Sequence, residues 1–188
     1  APDGRVLLAH NMLRMDISAL PPGASEERPL SWHDHSFAVD LSPDGKRVLF
    51  SESGEAGGRG YGVYLRGTDG SPAVRLGEGH VYGLSPDGRW ALTAPVDAKT
   101  RLVLLPTGAG ASRTLPLEGL DRFLWTDFFP DGRRILVLGG LAGRPLRLFA
   151  LDVNGGPLQP IAPEGVVTNP NTISPDGRSF PAFVAGQV

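Results

Sequence analysis

His33-Asp34-His35 is the one group in this sequence whose residue types and spacing suit ligand chemistry. On an extended strand, residues i and i+2 point to the same side, so His33 and His35 could both reach one Zn²⁺ while Asp34 faces away. His80 is the candidate third ligand, because it stands at the equivalent place one repeat later. A protein zinc site takes three or four side-chain ligands, and only two are local here. The favoured reading is therefore a polar connection between an outer strand and the next inner strand. No metal and no cofactor are assigned.

Other chemistry is sought and not matched. There is no Gly-x-Ser-x-Gly elbow, Walker loop, kinase catalytic set or His-Glu-x-x-His pair. The chain has no cysteine, which excludes disulfides, thiolate metal sites and cysteine nucleophiles. Gly58-Arg59-Gly60-Tyr61-Gly62 has the glycine content of a phosphate loop, but no helix follows to offer its N-terminus, so it reads as an inter-strand loop. The repeated turn aspartates each supply one carboxylate where Ca²⁺ wants about six or more oxygens, so they are assigned to turn formation.

Those turns are what must position everything else. Ser42-Pro43-Asp44-Gly45 recurs as Ser85-Pro86-Asp87-Gly88, Phe129-Pro130-Asp131-Gly132 and Ser174-Pro175-Asp176-Gly177, with a shortened copy at Pro2-Asp3-Gly4. The prolines at 2, 43, 86, 130 and 175 are 41, 43, 44 and 45 residues apart. Proline presets φ for the first central position, Asp bonds back to nearby backbone, and Gly accepts φ > 0. Apolar runs flank each complete turn, so each copy reads as a β-hairpin within one supersecondary unit repeated at fixed period.

Each full repeat holds four such runs. The first runs through Phe37–Leu41, whose alternation is the period-2 pattern of a strand, Val48–Phe50, Tyr61–Arg66 and Ala73–Leu76. The next runs through Val81–Leu84, Trp90–Ala94, Leu102–Leu105 and Arg113–Leu117, and the third through Phe123–Phe129, Arg134–Leu138, Leu146–Leu151 and Leu158–Ile161. Val6–Leu8, Leu13–Ala19 and Glu26–Ser31 make an incomplete unit before them, and the stretch from Val166 to Phe183 an incomplete one after. Four strands per unit of this length is a propeller blade. The expected fold is all-β: a β-propeller or propeller segment of four-stranded antiparallel blades, about four blades' worth of strands, forming one domain over residues 1–188. Trp32, Trp90 and Trp125 are expected to pack between blades.

Composition agrees. Glycine and proline together make up about 23% of the chain, near the disordered range, yet they fall at regular turn positions and 40% of residues are hydrophobic. The net charge of −2, with scattered Arg and Lys, argues against a nucleic-acid or anionic-membrane surface. The longest apolar-plus-glycine run, Ile135 to Gly143, is far too short to span a bilayer. No signal peptide opens the sequence, which starts within a repeat and so leaves room for an upstream segment.

The Ser-Pro-Asp-Gly-(Lys/Arg) hairpins resemble the WD40-like, or PD40, repeats of TolB-type propellers across the whole chain. The run from Tyr61 to Gly79 also resembles propeller regions that follow the kinase domain of some bacterial Ser/Thr kinases. The first resemblance implies a ring, usually of six blades, that serves as a periplasmic protein-binding platform. The chain departs from TolB in carrying about four blades' worth of strands and in lacking the α/β domain placed before TolB's propeller.

Propeller partners usually meet the face formed by the connections into each innermost strand and the loops between second and third strands. By repeat register, that face carries His35 and Ser36, His80 and Tyr82, Arg122 and Trp125, and Asn169 and Asn171, together with the Glu52–Tyr61 loop. These residues are varied and contain no paired acid and base. The functional expectation is a non-catalytic scaffold for protein–protein interaction, a subunit or domain of a larger bacterial assembly outside the cytoplasm. It is expected to work in a hetero-complex or as a homo-oligomer. The alternative is the propeller domain of a larger enzyme, a prolyl-oligopeptidase-type hydrolase or a receptor-type Ser/Thr kinase.

Overall fold

The repeated turn is built from its own residues. Gly45 N–H donates to Ser42 O (2.7 Å) at φ 69°, the Ser42 hydroxyl donates to Asp44 Oδ1 (2.6 Å), and the same hydroxyl oxygen accepts Arg47 N–H (2.9 Å). Ser85 and Ser174 repeat the arrangement. At Phe129 there is no hydroxyl. There Asp131 Oδ1 takes the N–H groups of Arg133 (2.8 Å) and Arg134 (3.1 Å), and the Arg134 guanidinium lies 4.3 Å from the Phe129 ring centre. Serine and arginine–aromatic packing are thus two solutions to one turn.

In the computed structural model, which describes residues 14–184 except 22, 55, 56, 58 and 59, these turns join the strands of a β-propeller segment. Three complete blades follow one another, each antiparallel with its strands in chain order. The first holds β3 (Ser36–Leu41), β4 (Arg47–Glu52), β5 (Gly62–Gly67) and β6 (Val74–Glu78). The second holds β7 (His80–Leu84), β8 (Trp90–Ala94), β9 (Arg101–Pro106) and β10 (Arg113–Pro116). The third holds β11 (Arg122–Phe128), β12 (Arg134–Gly140), β13 (Arg147–Asp152) and β14 (Gln159–Pro160). Two-stranded ladders flank them: β1 (Ser18–Ala19) with β2 (Arg28–Pro29), and β15 (Val166–Val167) with β16 (Phe183–Val184). Among the described residues the last ladder does not pair with the first, so the sheets do not close into a ring.

The terminal strands are shorter than the sequence pattern implies. Pro29 has no N–H to extend β2, and Ile17 N–H turns to the Ser31 hydroxyl (2.7 Å) instead of a strand carbonyl. Of the expected strand Leu13–Ala19, the described residues form only Ser18–Ala19, with a parallel bridge from Met15 to His35. The expected turn at Pro2, the strand Val6–Leu8 and the middle of the glycine-rich loop lie outside the described residues.

The apolar side chains form layers between neighbouring blades, as expected of units that cannot bury both faces alone. Leu49, Val63 and Leu65 meet Leu84, Ala91 and Leu105, and Leu92, Leu102 and Leu104 meet Ile135, Val137 and Leu151. Trp90 and Trp125 sit partly buried against these layers, whereas Trp32 is 42% exposed with Arg66 5.4 Å from its ring centre. The Arg66 guanidinium also donates to the carbonyls of Leu30 (2.8 Å), Ser31 (3.2 Å), Gly70 (3.0 Å) and Ser71 (2.8 Å). It thereby fastens the strand connection after β2 to the first complete blade.

The inner strand of each complete blade carries a β-bulge. Val39 is the extra residue between Ala38 and Asp40, Tyr82 between Val81 and Gly83, and Leu124 between Phe123 and Trp125. A bulge bends the strand and re-aims the extra side chain, and such irregularities concentrate at rims and functional sites.

Candidate partner-binding face

Two of the three bulge residues line one cleft. It has a volume of about 440 Å³ and lies between the second and third blades, lined by His80, Val81 and Tyr82 of β7, Phe123 and Leu124 of β11, and the 94–99 connection. Tyr82 packs its ring 6.0 Å from Phe123, and burial pushes its phenol above the ordinary tyrosine value. It therefore stays a neutral hydrogen-bond donor and acceptor. At its edge Val96 is 49% and Leu124 55% exposed.

Beside the cleft, Gly60 and Tyr61 of the first blade approach the second. Tyr61 lies against His80 with ring centres 4.7 Å apart, and a methyl group added at Gly60 would sit 3.9 Å from Val96 Cγ2. Gly79 makes the tight junction possible: its φ is +126°, and any Cβ there would lie 2.5 Å from the Ala94 carbonyl oxygen.

Charges of both signs surround the cleft. Glu78 is paired with Arg75 (2.6 Å), and Asp121 accepts the Ala142 N–H (2.7 Å). Lys99, Arg101 and Arg122 are exposed and make no ion pair among the described residues. Asp97, on the same connection as Lys99, and Glu118, next to Leu117 whose N–H donates to Thr100 O, are nearby carboxylates likewise outside any such pair, and Asp121 keeps its charge beside Arg122.

The residues proposed from the sequence divide into three groups. His80 and Tyr82 line the cleft, and Arg122 stands beside Phe123 at its edge. Trp125 instead packs into the layer between the third blade and β15, and Asn169 and Asn171 are exposed beyond it. Asn171 has φ 57°, and its N–H donates to Asp127 Oδ2 (3.1 Å). Ser36 is 2% exposed and cannot face a partner, because its hydroxyl hydrogen-bonds Glu52 Oε1. Glu52, expected in an exposed loop, instead ends β4 and is fully buried; its Oε1 also accepts His33 N–H (3.3 Å). Its Oε2 and the Nε2 of half-buried His35 have no hydrogen-bond partner among the described residues.

The three histidines do not converge. Residues 32–34 form a bend before β3, which removes the strand alternation that would align His33 with His35. His33 lies edge-on to Trp32, His35 neighbours Phe37, and His80 stacks on Tyr61. Among the described residues no three His, Cys, Asp or Glu side chains group closely enough to hold a metal ion.

On the opposite face, beside the Pro-Asp-Gly turns, Asp40 and Asp127 flank Gly83. A methyl at Gly83 would lie 3.3 Å from Asp40 Oδ2 and 3.9 Å from Asp127 Oδ1. Asp40 accepts Leu84 N–H (2.7 Å), tying the first blade to the second, and Asp127 ties the third to the segment after it. Burial raises the Asp127 pKa above the ordinary aspartate value, and the nearby Asp40 charge adds to the rise.

Phe123, Leu124, Val96 and Lys99 are the cleft residues that sequence reasoning missed. Leu124 carried a signal: a leucine one place out of alternation within Arg122–Phe128.

The fold has solved counterparts. Over 89% of its length the chain superposes on a putative TolB from Agrobacterium tumefaciens with a TM-score of 0.66 and 21% identity, covering 64% of that chain. TolB from Acinetobacter baumannii matches over 81% of this chain and 44% of its own, with a TM-score of 0.60 and 18% identity. A structure from a study of two prolyl endopeptidases matches 77% of this chain and 25% of its own, at a TM-score of 0.52 and 14% identity. The chain thus spans less than two thirds of each of these proteins, and shares with them the TolB-type propeller fold. No protein-family model matches the sequence, and no curated protein matches it either.

Proposed function

We propose that this propeller segment is a non-catalytic scaffold that binds another protein on its loop face, within a larger bacterial assembly outside the cytoplasm. The observation that carries the reading is the cleft between the second and third blades. Exposed Val96 and Leu124 frame it, Tyr82 and Phe123 floor it, and it holds no acid–base pair suited to proton transfer. An exposed apolar pair inside a rim of mixed charge is the composition of a contact surface. The extracytoplasmic setting rests on the resemblance of the repeats to TolB-type propellers and on the bacterial TolB structures that share the fold.

The test is native mass spectrometry of the protein isolated gently from its source. Recovery in a stoichiometric hetero-complex is expected. A bare monomer or homodimer would overturn the reading. The alternative, the propeller domain of a larger hydrolase, draws on the prolyl endopeptidase likeness. It is chosen instead if the isolated species carries a covalently continuous catalytic domain.

A further inference from the structure

We infer that Asn154-Gly155, on the turn between β13 and β14, is a self-modifying site: the Gly155 nitrogen displaces the Asn154 side-chain amide, assisted by Arg113 of the second blade. The inference stands apart from the scaffold reading.

The residue types select this asparagine. The chain has four, at 11, 154, 169 and 171. Asn169 precedes Pro170, whose nitrogen has no hydrogen to give up, and Asn171 precedes Thr172, whose β-branched side chain crowds its own amide. Asn11 precedes Met12, which also carries a side chain beside the amide. Only Asn154 precedes glycine, which leaves the attacking nitrogen unshielded. Gly156 follows at φ 116°, and a methyl group added there would meet nothing within 4 Å, so the backbone beyond the amide has room to turn. The turn aspartates also precede glycine, but an ionised carboxylate is a poor electrophile. At Asp44, Asp69, Asp87 and Asp176, moreover, a serine hydroxyl already holds Oδ1.

The geometry supplies the assistance. Asn154 is exposed; its N–H donates to Asp152 Oδ1 (2.8 Å), and the Gly155 N–H donates to Asp152 O (2.8 Å). From the neighbouring blade, Arg113 Nη1 donates weakly to Asn154 Oδ1 (3.5 Å), and its guanidinium is steadied 4.6 Å from the Trp90 ring centre. When the Gly155 nitrogen adds to Asn154 Cγ, negative charge gathers on that same Oδ1, so a cation already beside it favours the addition. The Gly155 N–H must first leave Asp152 O. Breaking this one turn bond at the surface slows the reaction by no more than about tenfold.

The atoms balance with water as the co-reactant. The bond from Gly155 N to Asn154 Cγ forms, the Cγ–Nδ2 bond breaks, and the amide proton passes through solvent to the departing nitrogen, which leaves as ammonia. Water then opens the cyclic imide at either carbonyl, giving aspartate or isoaspartate at 154. Either product adds one negative charge to a chain of net charge −2, where the second and third blades meet.

The experiment incubates the full chain at mildly alkaline pH, folded and in urea, and follows the asparagines by peptide mapping with mass spectrometry. The mass gain from replacing NH₂ by OH marks conversion, and electron-transfer fragmentation separates isoaspartate from aspartate. In the folded chain Asn154 is expected to convert before the other three, to both products. Arg113→Gln should slow that conversion about threefold, the size of a surface charge contact, and leave the rate in urea unchanged. Arg113→Lys keeps the charge and should restore most of the rate. Gly155→Ala should slow conversion in both states, because crowding at the nitrogen does not need the fold. An unchanged urea midpoint would show that Arg113→Gln is folded. If it is not, added salt tests the same contact in the unaltered chain, where it should slow conversion in the folded state alone. Earlier conversion of another asparagine, an Asn154 that converts in urea but not in the folded chain, or a folded rate indifferent to both the Arg113 charge and salt would overturn the inference.

Discussion

The two faces of the propeller are made in opposite ways. On the turn face, copies of one motif close their own hydrogen bonds: Ser42, Ser85 and Ser174 each serve the Asp two residues on and the strand that follows. Thr68 and Thr107 add the same latch twice, donating to the carbonyls of Gly45 (2.9 Å) and Gly88 (2.7 Å). On the loop face no two connections match. His35 stands beside Phe37, His80 against Tyr61, and Leu124 on the cleft beside Phe123. Repetition holds the blades in register, and variation is confined to the side that the register leaves free.

If that division is right, stability should be sensitive on one face and indifferent on the other. The largest effect is expected from Ser85→Ala. It removes the acceptor of Trp90 N–H (2.9 Å) and the donor to Asp87 (2.5 Å) at a buried site. A cost of about 1–3 kcal/mol should appear as a lower urea midpoint, the usual penalty for leaving a buried backbone donor unpaired.

A smaller effect of opposite sign is expected at Asp127. The turn residues Asp44, Asp87, Asp131 and Asp176 are held below the ordinary aspartate value, chiefly by hydrogen bonds from neighbouring serines, backbone amides or, at Asp131, Arg134. Their stabilisation is present above the unfolded-state value and is lost as pH falls through the lowered one. Asp127 is held above it, so its contribution is full below the unfolded-state value and is lost as pH rises through the raised one. Asp127→Asn keeps an acceptor for Asn171 N–H and removes the unfavourable charge. It should therefore raise the urea midpoint at neutral pH and leave it unchanged in acid, where a loss at neutral pH would contradict the assignment.

The smallest effect should come from the loop face. Leu124→Ser and Lys99→Glu should move the urea-derived stability by no more than about 0.5 kcal/mol, as exposed substitutions do. A larger loss at Leu124 than at Ser85 would dissolve the contrast between the faces.

The sequence made the turns and blades legible because Pro, Asp and Gly act locally, and because layers at fixed spacing need apolar runs at fixed spacing. Trp90–Ala94 was readable to the residue for this reason. Bulges leave no comparable mark. Phe37, Val39 and Leu41 alternate cleanly in the sequence, yet Val39 is the extra residue and Leu41 ends half exposed. Ser36 and Glu52 looked like surface polar residues, but they pair across β3 and β4 and bury each other. That is a non-local event between residues sixteen apart. The loop face was located by repeat register, whereas the cleft between the second and third blades depended on which blades carry Tyr and Leu at the bulge.

The Arg66 clamp gives the attachment of the β2 segment a defined mechanical character, beside the burial of Leu30 against Phe50 and Tyr64. Residues 30–31 and 70–71 hang from opposite edges of one guanidinium, and Arg28 Nη1 adds a further bond to Asp69 O (2.7 Å). A pull on the segment around β2 is delivered to these bonds together, in shear, and not one rung at a time. That segment should detach in a single rupture and leave the three complete blades standing.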